Sequence, residues 1–332
     1  MVKNLMIGSV LSAGIILSGC GGSGGDDSSS EQTSGRFSLA VSDAPVPQLS
    51  SVVICFNQIE LNAKSGEKQS FQLGADANTI PANNLCRDEN DNVIANTVGI
   101  DLMSYPGQAS VALLNQVEIP AGEYSQLRLT IAEGSYATIA DSEQKVAVTV
   151  PSNQLKMDGF VVGAGDTLAY TLEFDLKKSM TNPVGQDTYF LKPRGVRLVN
   201  NLTVGHLKGE VSETLLLNQD CPVTPSNLNQ PVANVYLYHG ADVAVTEMGD
   251  FGDVNNEAFA ATQVYFDGAS EYNFEIGFVP TGEYSLALTC DLNDDPEQDE
   301  TLTIISTLEV QVNAGETEDE LRFDNALEVA IQ

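Results

Sequence analysis

The residues with the clearest capacity for chemistry form an acidic stretch near the end of the chain. Asp291, Asn293 and Asp295 have the 1-3-5 ligand spacing of an EF-hand loop, and Asp299 adds a further oxygen ligand. Hard oxygen ligands at this density suit Ca²⁺. Pro296 stands where an EF-hand needs glycine, which excludes a true EF-hand. Two interpretations stay open: a calcium site of another kind formed by these four residues, or a solvated acidic loop.

Other catalytic chemistry has little support in the composition. The chain has 332 residues with two histidines, His206 and His239, and neither lies in a recognisable triad context. Paired carboxylates for glycoside hydrolysis remain an alternative, but the absence of Trp removes the best platform for stacking sugars. The 46 acidic and 15 basic residues give a net charge of −31, which argues against a nucleic-acid partner. We therefore expect a protein that is not an enzyme.

The first 19 residues have the pattern of an export signal. Lys3 precedes the apolar run Leu5–Leu17, which is too short for a comfortable membrane span and typical of a signal-peptide core. Leu17-Ser18-Gly19-Cys20 resembles the lipobox of bacterial lipoproteins, and this resemblance implies acylation of Cys20. The alternative is an ordinary secretory signal with an incidental cysteine. Residues 20–35 then read as a flexible Gly/Ser/Asp tether.

The expected location follows from the same lipoprotein resemblance. Gly21 stands directly after the cysteine, where lipoproteins retained in the inner membrane carry Asp. The resemblance therefore implies a bacterial outer-membrane protein, with the membrane itself as a partner through the lipid anchor. The sequence leaves open whether the folded part faces the periplasm or the cell surface.

Four cysteines remain once Cys20 is assigned to lipid. An even number in an exported protein predicts disulfides, and four cysteines allow three pairings. We prefer Cys55–Cys86 and Cys221–Cys290, because each pair then stays within one of the two proposed domains. Cys290 ends an alternating stretch that places it on the same strand face as Leu286 and Leu288, which favours a structural role.

The segments around the candidate site residues and the cysteines have the sequence pattern of β-strands. Short alternating runs such as Thr167–Leu176 are separated by turn residues, and no long helical period is present. We expect an all-β fold with two tandem antiparallel β-sandwich domains of immunoglobulin or transthyretin type, at 36–203 and 206–332. Charge marks the boundary, because 206–332 contains only two basic residues, Lys208 and Arg322, against 25 acidic ones.

Two local patterns connect the proposed domains. Ile119-Pro-Ala-Gly-Glu-Tyr-Ser is repeated as Val279-Pro-Thr-Gly-Glu-Tyr-Ser, with five of seven residues identical. In each, Pro ends one strand and Tyr starts the next, as in the tyrosine corner of sandwich folds. The basic segment Lys192-Pro-Arg194-Gly-Val-Arg197 is expected to pair with carboxylates such as Glu173 and Asp175 on a neighbouring strand.

The first region resembles the bacterial lipoprotein family called domain of unknown function 4382. The resemblance covers roughly 36–200 and rests on Phe37–Pro45, Val53–Leu61, Ile100–Leu102, Ile119–Tyr124 and Phe190–Pro193. It implies an exported, lipid-anchored β-domain without an assigned activity. The family has no catalytic motif, so no site residue is carried over.

The second region resembles the transthyretin-like, carboxypeptidase-regulatory type of sandwich domain. The residues that carry this resemblance are Leu207–Val211, Val232–Leu237 and Phe278–Tyr284. It implies a spacer or interaction module. The whole chain is therefore expected to have a non-catalytic binding, adhesion or scaffolding role with an envelope protein or glycan partner. The alternatives are a calcium-dependent adhesin module that binds carbohydrate or protein and, third, a carboxylate-based hydrolase.

Overall fold

The computed structural model describes residues 33–327 except Pro45, Pro47, Asp141 and Val184. The predicted signal peptide, Cys20 and most of the tether lie outside the described residues. No helix within the described part of the chain is both long enough and apolar enough to span a membrane.

The regular secondary structure of the described chain is almost entirely β-strand, as predicted. Strands of the first region are β1 (Ser34–Ala44), β2 (Leu49–Ala63), β3 (Gln69–Gln72), β4 (Val98–Asp101), β5 (Val111–Pro120), β6 (Gly122–Ile131), β7 (Tyr136–Ile139), β8 (Lys145–Thr149), β9 (Gln154–Val162), β10 (Thr167–Asp175), β11 (Met180–Thr181), β12 (Thr188–Leu191) and β13 (Val196–Asn200). Strands of the second region are β14 (Val204–Val211), β15 (Ala233–His239), β16 (Ala260–Phe266), β17 (Tyr272–Pro280), β18 (Gly282–Thr289), β19 (Ile304–Val312) and β20 (Thr317–Phe323). Short α-helices are α1 (Leu176–Ser179) and α2 (Glu213–Asn218), and single 3₁₀ turns cover Leu102–Ser104, Pro151–Asn153, Pro193–Gly195, Asn201–Thr203 and Val245–Glu247.

The first region is a sandwich of two sheets around one apolar core. One sheet has the strand order β13-β10-β1-β5, and the other has the order β11-β12-β8-β7-β2-β6-β9 with β3 and β4 also paired to β2. Phe37 and Leu39 of β1 face Ile54 and Phe56 of β2 in a single buried cluster. Most described strand pairs are antiparallel, but three are parallel: β1 with β10, β8 with β12 and, in the second region, β14 with β20.

The second region is a seven-stranded sheet with its own core. Its strand order is β19-β18-β15-β16-β17-β14-β20, and the end strands β19 and β20 lie against each other, so the sheet curls round. Leu207, Val235, Phe274 and Leu286 belong to the buried cluster inside it. Both regions nevertheless fall in one compact unit. The division into 36–203 and 206–332 as independently folding domains stays a prediction.

Two disulfides join the cysteines in the preferred pairing. Cys55 of β2 is bonded to Cys86 in the long irregular segment before β4, with Cα atoms 5.8 Å apart. Cys221, just after α2, is bonded to Cys290 at the end of β18, with Cα atoms 5.4 Å apart. Each bond therefore ties a segment with little regular structure to a core strand.

The repeated Pro-x-Gly-Glu-Tyr motif forms the same corner in both regions. The Tyr124 hydroxyl donates to the carbonyl oxygen of Pro120 at 2.9 Å, and the Tyr284 hydroxyl donates to that of Pro280 at 2.9 Å. Both tyrosine rings are buried. The corner fixes the chain reversal between β5 and β6 and between β17 and β18, as the repeat predicts.

We expect Tyr124→Phe and Tyr284→Phe each to lower the free energy of unfolding by about 1 kcal/mol, because each removes a hydrogen bond that a buried tyrosine donates to the corner carbonyl. The two losses should add in the double variant, since the corners lie in separate cores. Urea unfolding measures them. Tyr136→Phe is the control, because Tyr136 is a partly buried tyrosine of β7 that belongs to neither corner. A loss in the control equal to that in the corner variants contradicts the prediction.

Candidate functional site

The basic segment of the first region contacts the acidic second region. Lys192 forms an ion pair with Glu297, and the Arg194 guanidinium donates to the carbonyl oxygen of Pro296. Arg197 lies opposite Glu173 on the adjacent strand, as expected, and its guanidinium carbon is 4.3 Å from the ring centre of Phe259. Two of the three basic residues therefore contact the acidic loop of the second region, and Arg197 lies beside Glu173 in its own sheet.

Three carboxyl groups are buried on the first region's side of this junction. Asp43 at the end of β1, and Glu173 and Asp175 at the end of β10, are each at most 2% exposed. Loss of solvation raises the pKa of Glu173 to about 8, although Arg197 opposes the rise. Burial, reinforced by Glu173 and Asp175, holds the pKa of Asp43 well above its ordinary value. Glu173 therefore keeps its proton at neutral pH in the folded protein.

Asp175 links the two regions directly. One carboxylate oxygen, Oδ1, accepts from the backbone N–H of Lys178 at 3.0 Å and caps α1. The other, Oδ2, accepts from the backbone N–H of Ala261 in β16 at 3.1 Å. The same carboxyl therefore fixes the direction of α1 and its distance from the second region. This places the next residues of the chain, Lys177 to Thr181, at the junction.

A cleft of about 450 Å³ opens beside α1. On the first region's side it is lined by Lys177, Thr181 and Tyr189, and on the second region's side by Asp294 and Asp295. We call this the junction cleft. Its volume is within the range of small-molecule binding sites.

Lys177 is the most unusual group in the junction cleft. It is 4% exposed, and its Nζ atom has no hydrogen-bond partner among the described residues. Nζ lies 4.9 Å from the ring centre of Tyr236. Burial lowers the pKa of Lys177 to about 8, opposed by the nearby carboxylates of Asp294 and Asp175. At pH 7 the buried group is still mostly a cation.

Asp294 faces Lys177 from the acidic loop. Its Oδ2 atom accepts a hydrogen bond from the Tyr236 hydroxyl at 2.6 Å, while its buried Oδ1 atom has no partner among the described residues. Burial raises the pKa of Asp294, and the Lys177 charge opposes that rise. Tyr236 thus separates the two groups, with Lys177 over its ring and Asp294 at its hydroxyl.

The four residues of the predicted calcium loop are not drawn together as a carboxylate cluster. The Asp291 carboxylate accepts from the backbone N–H of Thr303 at 2.7 Å, and that of Asp295 accepts from the backbone N–H of Glu297 at 3.0 Å. Asn293 and Asp299 are exposed. These contacts organise the loop locally. The calcium role of the four residues stays a prediction.

A different acidic cluster forms at the same loop. Oxygen atoms of Asp250, Asp294 and Glu300 lie within 4.8 Å of one another. Asp250 is fully buried, and it accepts from the backbone N–H groups of Gly252 at 2.9 Å and Glu300 at 2.5 Å. It therefore ties the loop after β15 to the acidic loop. Sequence reasoning did not find this set because Asp250 lies more than 40 positions from its partners.

Comparison with solved structures gives only distant likenesses. A leucine-rich repeat protein from Bacteroides thetaiotaomicron is 13% identical, with a TM-score of 0.23, and the match covers 91% of this chain but only 27% of that protein. A protein from Bacteroides ovatus described as an adhesin is 9% identical with a TM-score of 0.22, over 95% of this chain and 100% of that one. The fimbrial anchor protein Mfa2 from Porphyromonas gingivalis is 8% identical with a TM-score of 0.18, over 82% of each chain. At these TM-scores the likenesses carry no argument about function.

Comparison of sequences identifies the first region alone. No curated protein matches the chain. The expected likeness of 206–332 to transthyretin-like domains stays a prediction. Residues 34–193 match the family described as domain of unknown function (DUF4382), close to the range over which the resemblance was expected.

Proposed function

We propose that the chain is a non-catalytic envelope protein, anchored in the bacterial outer membrane through acylated Cys20, and that it binds its partner at the junction cleft. The observation that carries the binding role is Lys177, a buried cation that lines a cleft without a hydrogen-bond partner among the described residues. A buried unpaired charge is costly, and a site that tolerates one is a candidate for a ligand.

The anchor and location have separate support. Cys20 follows a pattern that resembles a lipobox, and the polar residues after it form a suitable tether. The two disulfides agree with export, because such bonds persist in oxidising compartments. A partner in the envelope, either a protein or a glycan, is consistent with this location.

The anchor is tested with the full-length chain in a Gram-negative host. Wild-type protein should incorporate labelled palmitate and fractionate with the outer membrane, whereas Cys20→Ala should do neither. Protease treatment of intact and lysed cells then reports which face the folded part occupies. If Cys20→Ala still incorporates palmitate or fractionates with the outer membrane, the lipid anchor is wrong. A robust hydrolytic activity in purified protein would overturn the non-catalytic role in favour of the carboxylate-based hydrolase.

We also propose a second candidate, a calcium-dependent binding module. The supporting observation is the approach of Asp250, Asp294 and Glu300 within 4.8 Å, together with the unpartnered Oδ1 atom of Asp294. Carboxylate oxygens are the ligands that Ca²⁺ prefers. The ion would tie the acidic loop to the loop after β15.

For this candidate we expect calcium at fixed ionic strength to raise Tm, and EDTA to reverse the rise. At a calcium concentration 100 times Kd the stabilisation is about 2.7 kcal/mol. Asp294→Asn with Glu300→Gln should abolish the shift, whereas Asp291→Asn with Asp299→Asn should abolish it only if the loop predicted from sequence holds the ion. Equal Tm with calcium and with EDTA in the wild type contradicts both sites.

A further inference from the structure

We infer that the junction cleft binds a small zwitterion, of the kind represented by a short peptide with both termini free. The inference rests on the proposed binding role and names its ligand class. It follows from the juxtaposition of the buried Lys177 ammonium and Thr181 hydroxyl on one wall with the Asp294 carboxyl on the other.

The wall formed by the first region is suited to a carboxylate. Lys177 and Thr181 are 4% and 3% exposed, and both line the cleft. Neither Lys177 Nζ nor Thr181 Oγ1 has a hydrogen-bond partner among the described residues. Each buried polar group left unpaired costs about 1–3 kcal/mol, and more for a charge. A ligand carboxylate that reaches these donors would accept hydrogen bonds from them and recover that cost.

The facing wall is suited to an ammonium group. The Asp294 Oδ1 atom is buried and has no partner among the described residues, and Asp295 lines the cleft beside it. Glu297 also lines the cleft, but its charge is already paired with Lys192. Unused acceptor capacity is therefore concentrated at Asp294, in the part of the lining that the second region supplies.

Lys177 and Asp294 both contact Tyr236 and attract each other, but they form no ion pair among the described residues. Its hydroxyl donates to Asp294 Oδ2 at 2.6 Å while Lys177 lies over its ring, with Nζ 4.9 Å from the ring centre. The ring is fully buried between strands of the second region, so it acts as a fixed spacer. Two charges of opposite sign that line one cleft match a ligand that carries both charges.

A ligand with one charge fits the cleft less well. A simple anion would meet Lys177 but would be repelled by Asp294 and Asp295. A simple cation would meet Asp294 but would be repelled by Lys177, which has little solvent to screen it. A zwitterion would interact favourably with both Lys177 and Asp294, and a cleft of about 450 Å³ is large enough for a short peptide.

Calorimetry with alanyl-alanine tests the inference in EDTA, so that no divalent cation occupies Asp294. We expect binding of the free dipeptide, and an affinity at least about tenfold lower when either the amino end is acetylated or the carboxyl end is amidated. Lys177→Met and Asp294→Asn should each cause a similar loss. Lys178→Met is the matched control: the neighbouring lysine is bonded to Ala258 and Glu257, outside the cleft, and its replacement should leave the affinity unchanged.

Equal binding of the free and the doubly blocked dipeptide overturns the inference, as does full affinity in Lys177→Met or no binding of the free dipeptide. If acetylation of the amino end leaves the affinity unchanged, the cleft is a simple anion site. If amidation of the carboxyl end leaves it unchanged, the cleft is a simple cation site. Either result also overturns the inference. Circular dichroism confirms that each variant is folded. A negative result in this calorimetry would not contradict the lipid anchor or the envelope location, because palmitate labelling and fractionation test those two proposals independently of the cleft.

Discussion

Glu173→Gln is expected to stabilise the protein at neutral pH and to reduce the loss of stability as pH rises. Glu173 is 2% exposed, and burial raises its pKa in the folded state to about 8 from an ordinary value of 4.5. Between those values the unfolded chain releases the proton while the folded chain keeps it. The folded state therefore binds more protons, and the free energy of unfolding must fall as pH increases.

The size of this effect follows from the same linkage. One such group contributes a fall of up to about 1.4 kcal/mol per pH unit between about pH 5 and 8. Gln resembles the protonated carboxyl and does not titrate, so the variant should lose this slope. Burial raises the pKa values of Asp43 and Asp175 in the same direction, so some slope should remain.

Urea unfolding at four pH values between 5 and 8 measures the slope. Glu67→Gln is the control, because Glu67 is exposed on the loop between β2 and β3. If the Glu173→Gln curve runs parallel to that of the wild type, Glu173 is ionised in the folded protein and its pairing with Arg197 dominates over burial.

Gly277→Ala is expected to destabilise the protein by loosening the junction. Gly277 lies in β17, and a Cβ atom there would be 1.9 Å from the carbonyl oxygen of Gly107 in the first region. Beside this contact, the backbone N–H of Gln108 donates to the Glu275 carboxylate at 2.7 Å. The added methyl group forces the two backbones apart, and we expect a loss of about 1–3 kcal/mol.

The control for this effect is Gly66→Ala. Gly66 has a φ of +100° with no atom within 4 Å of its Cβ position, so alanine there introduces backbone strain without crowding. Unfolding free energies of the two variants separate these causes, and hydrogen exchange at Gln108 reports the junction itself. If Gly277→Ala loses no more stability than Gly66→Ala and leaves exchange at Gln108 unchanged, the close approach is not a source of stability.

Features that depend on neighbouring residues in the chain were predictable from sequence. Alternation with a period of two predicts strands, because successive side chains point to opposite faces. The repeated corner is readable for the same reason: Tyr124 and Tyr284 each bond a carbonyl only four residues earlier. The disulfide pairing followed from keeping each bond within one region. The strands and corners are local constraints, whereas the disulfides join residues 31 and 69 positions apart and were predictable only from the proposed division of the chain.

Features that depend on residues distant in the chain were decided by the tertiary structure. The calcium role of Asp291, Asn293, Asp295 and Asp299 was inferred from positions along the chain and stays a prediction. The tertiary structure brings a different acidic group together, Asp250, Asp294 and Glu300, because the fold places the loop after β15 against the acidic loop. The sequence itself determined the all-β fold, the even set of cysteines and the acidic second region, since composition and alternation act along the chain. Only packing decided that Lys177 would be buried opposite Asp294, because burial and the resulting electrostatics depend on which surfaces meet.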